Sequence, residues 1–201
     1  MKVLVTGGAG FIAHHVIETI LDTTDWEIIS LDRLDFSGNL NRLHDLIGQR
    51  PDKARVKIVY HDLKAPISPL TASTIGQVDY ILHLAAGSHV DRSIDFPLEF
   101  VMDNVVGTAN LLQYARTLKN LDRFVYFSTD EIFGVAPEGV SYKEYDRYNS
   151  TNPYSASKAA ARLARSASGP VIVLWERARA SRAFLSASST LWPATLPSDP
   201  S

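Results

Sequence analysis

The feature that most constrains this chain is its first dozen residues. A wholly apolar strand, Val3-Leu4-Val5, runs straight into Thr6-Gly7-Gly8-Ala9-Gly10-Phe11-Ile12-Ala13 and then into a helical pattern. The turn reads both as G-x-x-G-x-x-A and as G-x-G-x-x-A. Glycines permit a tight turn and let backbone approach a pyrophosphate, while the helix N-terminus behind them supplies amide donors and positive potential. Gly7, Gly10, Phe11 and Ile12 are therefore candidate cofactor-binding residues. Ala13 stands where a third glycine is commoner, and its methyl group is expected to tighten helix–strand packing.

Downstream, short apolar β-rich runs alternate with longer helical periods, the pattern of a parallel sheet with crossover helices. The spacing predicts strands at Lys2–Thr6, Glu27–Leu31, Val56–Tyr60, Tyr80–Leu84 and Arg123–Ser128, with Val171–Trp175 as a candidate sixth. Helices are expected at Gly10–Leu21, Leu40–Gly48, Pro97–Leu118 and from Pro153 onward. Strands as apolar as Val3–Val5 suit a sheet covered on both faces. Right-handed crossovers then give a doubly wound parallel sheet, a Rossmann fold whose ligand crevice lies beyond the C-terminal strand ends. Each chemical motif falls just past one of those ends.

Asp32 ends the second strand, 22 residues after Gly10. A carboxylate there accepts both hydroxyls of an adenosine ribose and repels a 2′-phosphate, which favours NAD over NADP. The neighbouring Arg33 counts the other way, since a guanidinium can serve a 2′-phosphate. After the third strand, Asp62 is placed to meet an adenine amino group and Leu63 to cover the ring. Tyr154-Ser155-Ala156-Ser157-Lys158 is Y-x-x-x-K, and on a helix positions i and i+4 share a face. A tyrosine has a reference pKa of about 10. A nearby ammonium stabilises its phenolate and brings it toward a working base.

Composition narrows the chemistry. Among 201 residues there is no cysteine, which excludes disulfides, thiolate catalysis and Cys-based zinc. The six histidines show no ligand spacing, so no metal is expected. Twenty basic and 22 acidic residues leave a formal charge of −2, no electrostatic case for nucleic acid or an anionic membrane. No apolar run approaches the roughly 20 residues of a transmembrane helix, and no signal-peptide pattern opens the chain. The expectation is a cytoplasmic protein.

Taken together, TGGAGFI, Asp32, Leu84-Ala85-Ala86, Asn104, Ser128-Thr129 and Tyr154/Lys158 resemble an extended short-chain dehydrogenase/reductase. Three segments narrow the likeness. Residues 31–40, LDRLDFSGNL, resemble that family's nucleotide loop. HLAAGSHVDRS at 83–93 and STDEIFG at 128–134 resemble the dTDP-glucose 4,6-dehydratases, whose epimerase relatives usually lack the Asp130-Glu131 pair. The resemblance implies NAD as cofactor, contacted also by Leu84, Ala85, Ala86 and Asn104, and a nucleotide-sugar substrate held by Ser88 and Thr129. It implies that Tyr154 takes the C4 hydroxyl proton, with Lys158 tuning the phenol. Glu131 would then take the C5 proton while Asp130 gives one to the departing C6 hydroxyl. Two adjacent carboxyls can divide acid and base roles when their surroundings differ. His89 reads equally as a substrate contact or as a packed imidazole.

The composition shifts near residue 160. Residues 1–158 carry 15 basic and 20 acidic side chains, whereas 159–201 carry five Arg, no Lys and two acids, and 18 of those 43 are Ala or Ser. The chain is therefore expected to consist of a dinucleotide-binding domain at 1–160 and an atypical tail at 161–201, with the candidate sixth strand inside the tail. The break reads as a truncated or frameshifted fold without the C-terminal substrate lobe, weak or idle in turnover. The alternatives are a non-catalytic NAD-binding remnant and a nucleotide-sugar epimerase or decarboxylase. Apolar surface beside the fifth strand leads to the further expectation of a homodimer, or of pairing with a complete homologue.

Overall fold

The computed structural model describes residues 1–35, 37–143, 145–164 and 171–176, with backbone alone for the last segment and for 163–164. Phe36 of the nucleotide loop lies outside the described residues, as does all of the expected tail except 161–164 and 171–176.

Strand β1 (Lys2–Thr6) passes through the glycine turn into α1 (Phe11–Thr23). β2 (Glu27–Asp32) leads to α2 (Leu40–Gly48), and β3 (Val56–Tyr60) leads to the short α3 (Pro69–Ile75). β4 (Tyr80–His83) is followed by α4 (Val90–Asp95), and then by one long helical stretch. That stretch comprises α5 (Pro97–Phe100), a wide π turn at Val101–Val106, and α6 (Gly107–Ala115). β5 (Arg123–Thr129) ends in a 3-10 turn at Asp130–Phe133, α7 spans Pro153–Ala164, and β6 spans Val171–Glu176. Neither α3 nor α4 is among the helices expected from periodicity. Both are too short to show a period, though Ser68 caps α3 by accepting from the Thr71 amide, with Pro69 in the first turn.

Among the described residues six strands, all parallel, form one sheet in the order β3-β2-β1-β4-β5-β6. The order reverses between β1 and β4, where a doubly wound sheet opens its crevice. Successive strand residues point to opposite faces. Leu4, Ile29, Leu31, Ile81 and Phe124 pack under Leu111 and Leu112 of α6. Val3, Val5 and Ile28 pack with Ala13, Ile17 and Ile20 of α1 and Leu43 of α2. Both faces are covered, which is why β1 carries no polar residue between Lys2 and Thr6. Ala13 is fully packed in the second of these clusters, its methyl group in the place of a third glycine.

The expected truncation is corrected here. The sheet does not stop at β5: after α7 the chain returns to it, and β6 pairs with β5 from Phe124↔Val171 through Thr129↔Glu176. A crossover helix followed by a parallel sixth strand is what a doubly wound sheet requires after β5. The shift in composition near residue 160 therefore does not mark the end of the sheet.

Candidate active site

The strand ends around the β1/β4 reversal enclose a cleft of about 530 Å³. Gly7, Gly10, Phe11 and Ile12 line it on the side of β1. Gly7 has φ +72°, and its amide donates to the Leu31 carbonyl at 2.8 Å. A Cβ on Gly7 would lie 2.8 Å from the Ala85 backbone, so the two strand ends meet at a distance only hydrogen allows. Gly10 precedes α1 without a side-chain cap, leaving the first-turn amides to whatever enters the cleft.

Asp32, also in the lining, is nearly buried and held from both sides. One carboxylate oxygen accepts from the Ala9 amide at 3.0 Å and the other from the Leu34 amide at 2.7 Å. Leu34 itself adopts φ +56°, in the left-handed region. Each oxygen keeps a lone pair for a ribose hydroxyl. Asp62 and Leu63 line the same end. Burial opposes ionisation of Asp62, but the Lys64 amide, the Arg33 guanidinium and the Lys64 ammonium hold its carboxyl below the usual range. Arg33 is committed elsewhere. Its Nε donates to Asp35 at 2.8 Å and its Nη2 to Asp103 at 2.8 Å.

Leu84, Ala85, Ala86 and Ser88 form the opposite wall, with His89 beside them. Beneath that wall lies a buried relay absent from the sequence expectations. The Ala85 amide donates to Thr6 Oγ1 at 3.2 Å, and Thr6 Oγ1 lies 2.7 Å from His83 Nδ1. His83 Nε2 lies 2.9 Å from Thr108 Oγ1, whose proton goes to the Asn104 carbonyl. With that proton committed, Thr108 can only accept from His83, so the imidazole is the Nε2–H tautomer and Nδ1 accepts from Thr6. Asn104 does not line the cleft as expected. Its amide closes on Gly87, accepting from the nitrogen at 2.8 Å and donating to the oxygen at 3.0 Å, and also donates to Ser157 at 2.8 Å. It shapes the wall from behind.

Burial, reinforced by the Lys158 ammonium, pushes the His83 imidazole down to about 3. In the unfolded chain it titrates near 6.5. Between those values the unfolded state holds a proton that the folded state refuses, so stability falls as pH drops through this window. The slope from this one group is about 1.4 kcal/mol per pH unit. Denaturant midpoints measured from pH 7 to pH 4 should fall less steeply in His83→Asn. An unchanged slope would mean that His83 takes up its proton in the folded chain.

At the other end of the cleft, Tyr154 and Lys158 enter the lining from one face of α7. Both are buried, and Lys158 Nζ donates to the Phe127 carbonyl at 2.6 Å and stands 4.4 Å from the Tyr126 ring centre. The helix is fixed at its start by Asn152, whose side-chain oxygen accepts from the Ser155 amide at 2.8 Å. Sequence reasoning passed over this cap, although Asn before Pro at a helix start is a recognisable signal. The Asn152 amide also donates to Glu131 at 3.1 Å, tying the acidic turn after β5 to the helix of Tyr154. Thr129 is buried and its hydroxyl receives the Glu131 amide, while Asp130 is exposed. Thr129, Asp130 and Glu131 thus border the Tyr154 end without lining the cleft itself.

Such a fold and cleft define a dinucleotide-binding protein of the Rossmann type. Residues 4–167 match the model of a family described as GDP-mannose 4,6 dehydratase. The dTDP-glucose 4,6-dehydratase of Escherichia coli is 39% identical over 176 residues, covering 79% of this chain and 48% of that protein. A low-salt glycan biosynthesis protein of Haloferax volcanii, Agl12, is 39% identical over 163 residues, 81% of this chain and 50% of its own length. Among solved structures, the Streptomyces venezuelae dTDP-glucose 4,6-dehydratase DesIV, with NAD and TYD bound, superposes with a TM-score of 0.77 at 37% identity, covering 87% of this chain and 55% of that one. A Campylobacter jejuni UDP-Glc/GlcNAc 4-epimerase gives 0.74 at 29% identity, with 87% of this chain and 52% of that one covered.

The chain belongs to the GDP-mannose 4,6 dehydratase family, within the NAD-dependent nucleotide-sugar dehydratases and epimerases. The likeness to solved structures takes in more of the chain than its first 160 residues, which overturns the reading that the family pattern stops, by frameshift or truncation, near residue 160. The chain spans about half the length of the curated relatives it matches. Among the described residues, no helix is long and apolar enough to cross a membrane.

Proposed function

We propose that the chain binds NAD and carries the acid–base residues of a 4,6-dehydratase acting on a nucleotide hexose, dTDP-glucose in the first instance. The cleft suits the cofactor along its length. Gly7 and Gly10 admit a pyrophosphate to the N-terminus of α1, and Asp32 offers lone pairs to the ribose. Leu63 offers an apolar face to the adenine, and Tyr154 and Lys158 stand at the far end. When bound, NAD supplies a hydride acceptor that later returns the hydride.

The chain's own residues move the protons. Tyr154 takes the proton of the C4 hydroxyl, with the Lys158 ammonium stabilising its phenolate. A ketone at C4 acidifies the C5 proton, which Glu131 removes. Asp130 protonates the C6 hydroxyl, which leaves as water. Thr129 and Ser88 hold the sugar. The observation that carries a dehydratase over an epimerase is the Asp130-Glu131 pair, with Glu131 bonded to the Asn152 that caps the Tyr154 helix. Incubating the chain with NAD and dTDP-glucose should give a 4-keto-6-deoxy sugar nucleotide. Formation of the C4 epimer instead would favour the epimerase.

Removing the Asp32 carboxylate should weaken NAD by about 10- to 100-fold, because charge-assisted hydrogen bonds contribute roughly 1.5–3 kcal/mol. Calorimetric titration of Asp32→Ala checks this. Unaltered NAD affinity would take the ribose away from Asp32.

A further inference from the structure

At the adenosine end of the cleft, Arg33 sits where its charge would draw a phosphate, yet that charge is already spent. A guanidinium has five N–H donors in a planar fork. Four are used: Nε and Nη2 toward Asp35, and Nη1 and Nη2 toward Asp103, the latter a two-pronged pair. Nη1 also lies 3.7 Å from Asp62. Asp103 comes from the wide π turn, 70 residues away, and only 12% of its side chain is exposed. On the far side, burial works against Asp35 ionising. The Ser37 hydroxyl and amide and the Arg33 guanidinium nevertheless bring its carboxyl down to about 2. Asp35 is therefore anionic at neutral pH. Two other cations line this end: Lys64, 3.4 Å from Asp62 and 3.8 Å from Asp103, and Arg42, whose Nη1 donates to the Ala9 and Ser37 carbonyls, each at 3.1 Å.

We propose that Asp103 and Asp35 lock Arg33 away from the ribose, which makes these two carboxylates determinants of the preference for a dinucleotide with a free 2′-hydroxyl. The inference rests on the NAD reading above and adds to it. Asp32 alone repels a 2′-phosphate; the lock removes the guanidinium that would otherwise offset that repulsion. Together, the three cations Arg33, Arg42 and Lys64 face the four carboxylates of Asp32, Asp35, Asp62 and Asp103, so a phosphate carrying roughly −1.5 to −2 charge still meets a net negative field. Releasing Arg33 should reverse part of this, because a guanidinium pairs with phosphate through the same fork it gives to Asp103.

The test titrates NAD and NADP separately into the chain and into Asp35→Asn, Asp103→Asn, the double variant, and the double variant carrying Arg33→Ala. The double variant should raise the NADP-to-NAD affinity ratio by about tenfold or more, the scale of one charge-assisted hydrogen bond. Each single variant should move it the same way by a smaller factor, and each can be read if the double variant fails to fold. Adding Arg33→Ala should remove most of the gain, which separates release of the guanidinium from simple loss of negative charge. A ratio unchanged in variants that still bind NAD overturns the lock and leaves the NAD reading standing. A gain that survives Arg33→Ala also overturns it. A parent chain that binds neither dinucleotide removes the NAD reading and the lock with it.

Discussion

Glu131→Gln should arrest turnover after oxidation of the sugar and before loss of water. The amide is isosteric with the carboxylate and keeps an oxygen for the Asn152 bond, seen at 3.1 Å, so the start of α7 stays capped. It cannot accept the C5 proton. On the proposed mechanism the first proton transfer is that of Tyr154 and is untouched, so reduced nicotinamide should accumulate with its near-ultraviolet absorbance. Tyr154→Phe should differ in kind, with no absorbance change, because no group remains to take the C4 proton. Each general acid or base contributes about 10²–10⁴-fold, so both losses are large against assay error. If Glu131→Gln and Asp130→Asn both turned over normally, the acid–base assignment would fail and the epimerase reading would gain.

Adding one methyl group at Gly7 should be far more damaging than adding one at Gly48. Gly7 combines φ +72° with a backbone contact of 2.8 Å at the position a Cβ would take. An L side chain in the left-handed region costs about 1–2 kcal/mol. Overpacking against backbone that cannot swing aside adds about 1–3 kcal/mol. Gly7→Ala should therefore lose about 2–5 kcal/mol of stability and its dinucleotide affinity, since relief requires β1 and the β4 loop to part. Gly48, the last residue of α2, meets nothing within 4 Å. There Ala should be neutral or stabilising by about 0.4–1 kcal/mol, through reduced freedom of the unfolded chain. Urea midpoints of the two variants make the comparison, and equal losses would refute the close-approach argument.

What the sequence made legible was local. β1, β3 and α2 have the bounds their periodicity predicts, and β2, β4 and β5 differ by one residue at the C-terminal end. The glycine turn, Asp62 and Ala85 follow strand ends, Asp32 closes β2, and Tyr154 and Lys158 lie on α7, all elements that pattern alone locates, and the fold gathers them in one cleft. What pattern could not reach was the pairing of polar groups distant in sequence. Thr6 meets His83 across 77 positions, Arg33 meets Asp103 across 70, and Asn104 meets Ser157 across 53. Nothing in the local sequence marks Asp103 as a partner of Arg33 or Asn104 as a brace for Gly87. Those pairings depend on the π turn that widens the long helix, where a uniform helix from Pro97 to Leu118 was expected.

The most direct test of the account is the fate of the hydrogen on C4. The chain is supplied with NAD and dTDP-glucose carrying deuterium at C4, and the product is analysed by mass spectrometry and NMR. The account predicts a sugar nucleotide that has lost one water, with a C4 ketone and the deuterium on the C6 methyl group. Deuterium retained at C4, on a sugar that has kept its C6 hydroxyl, would contradict it.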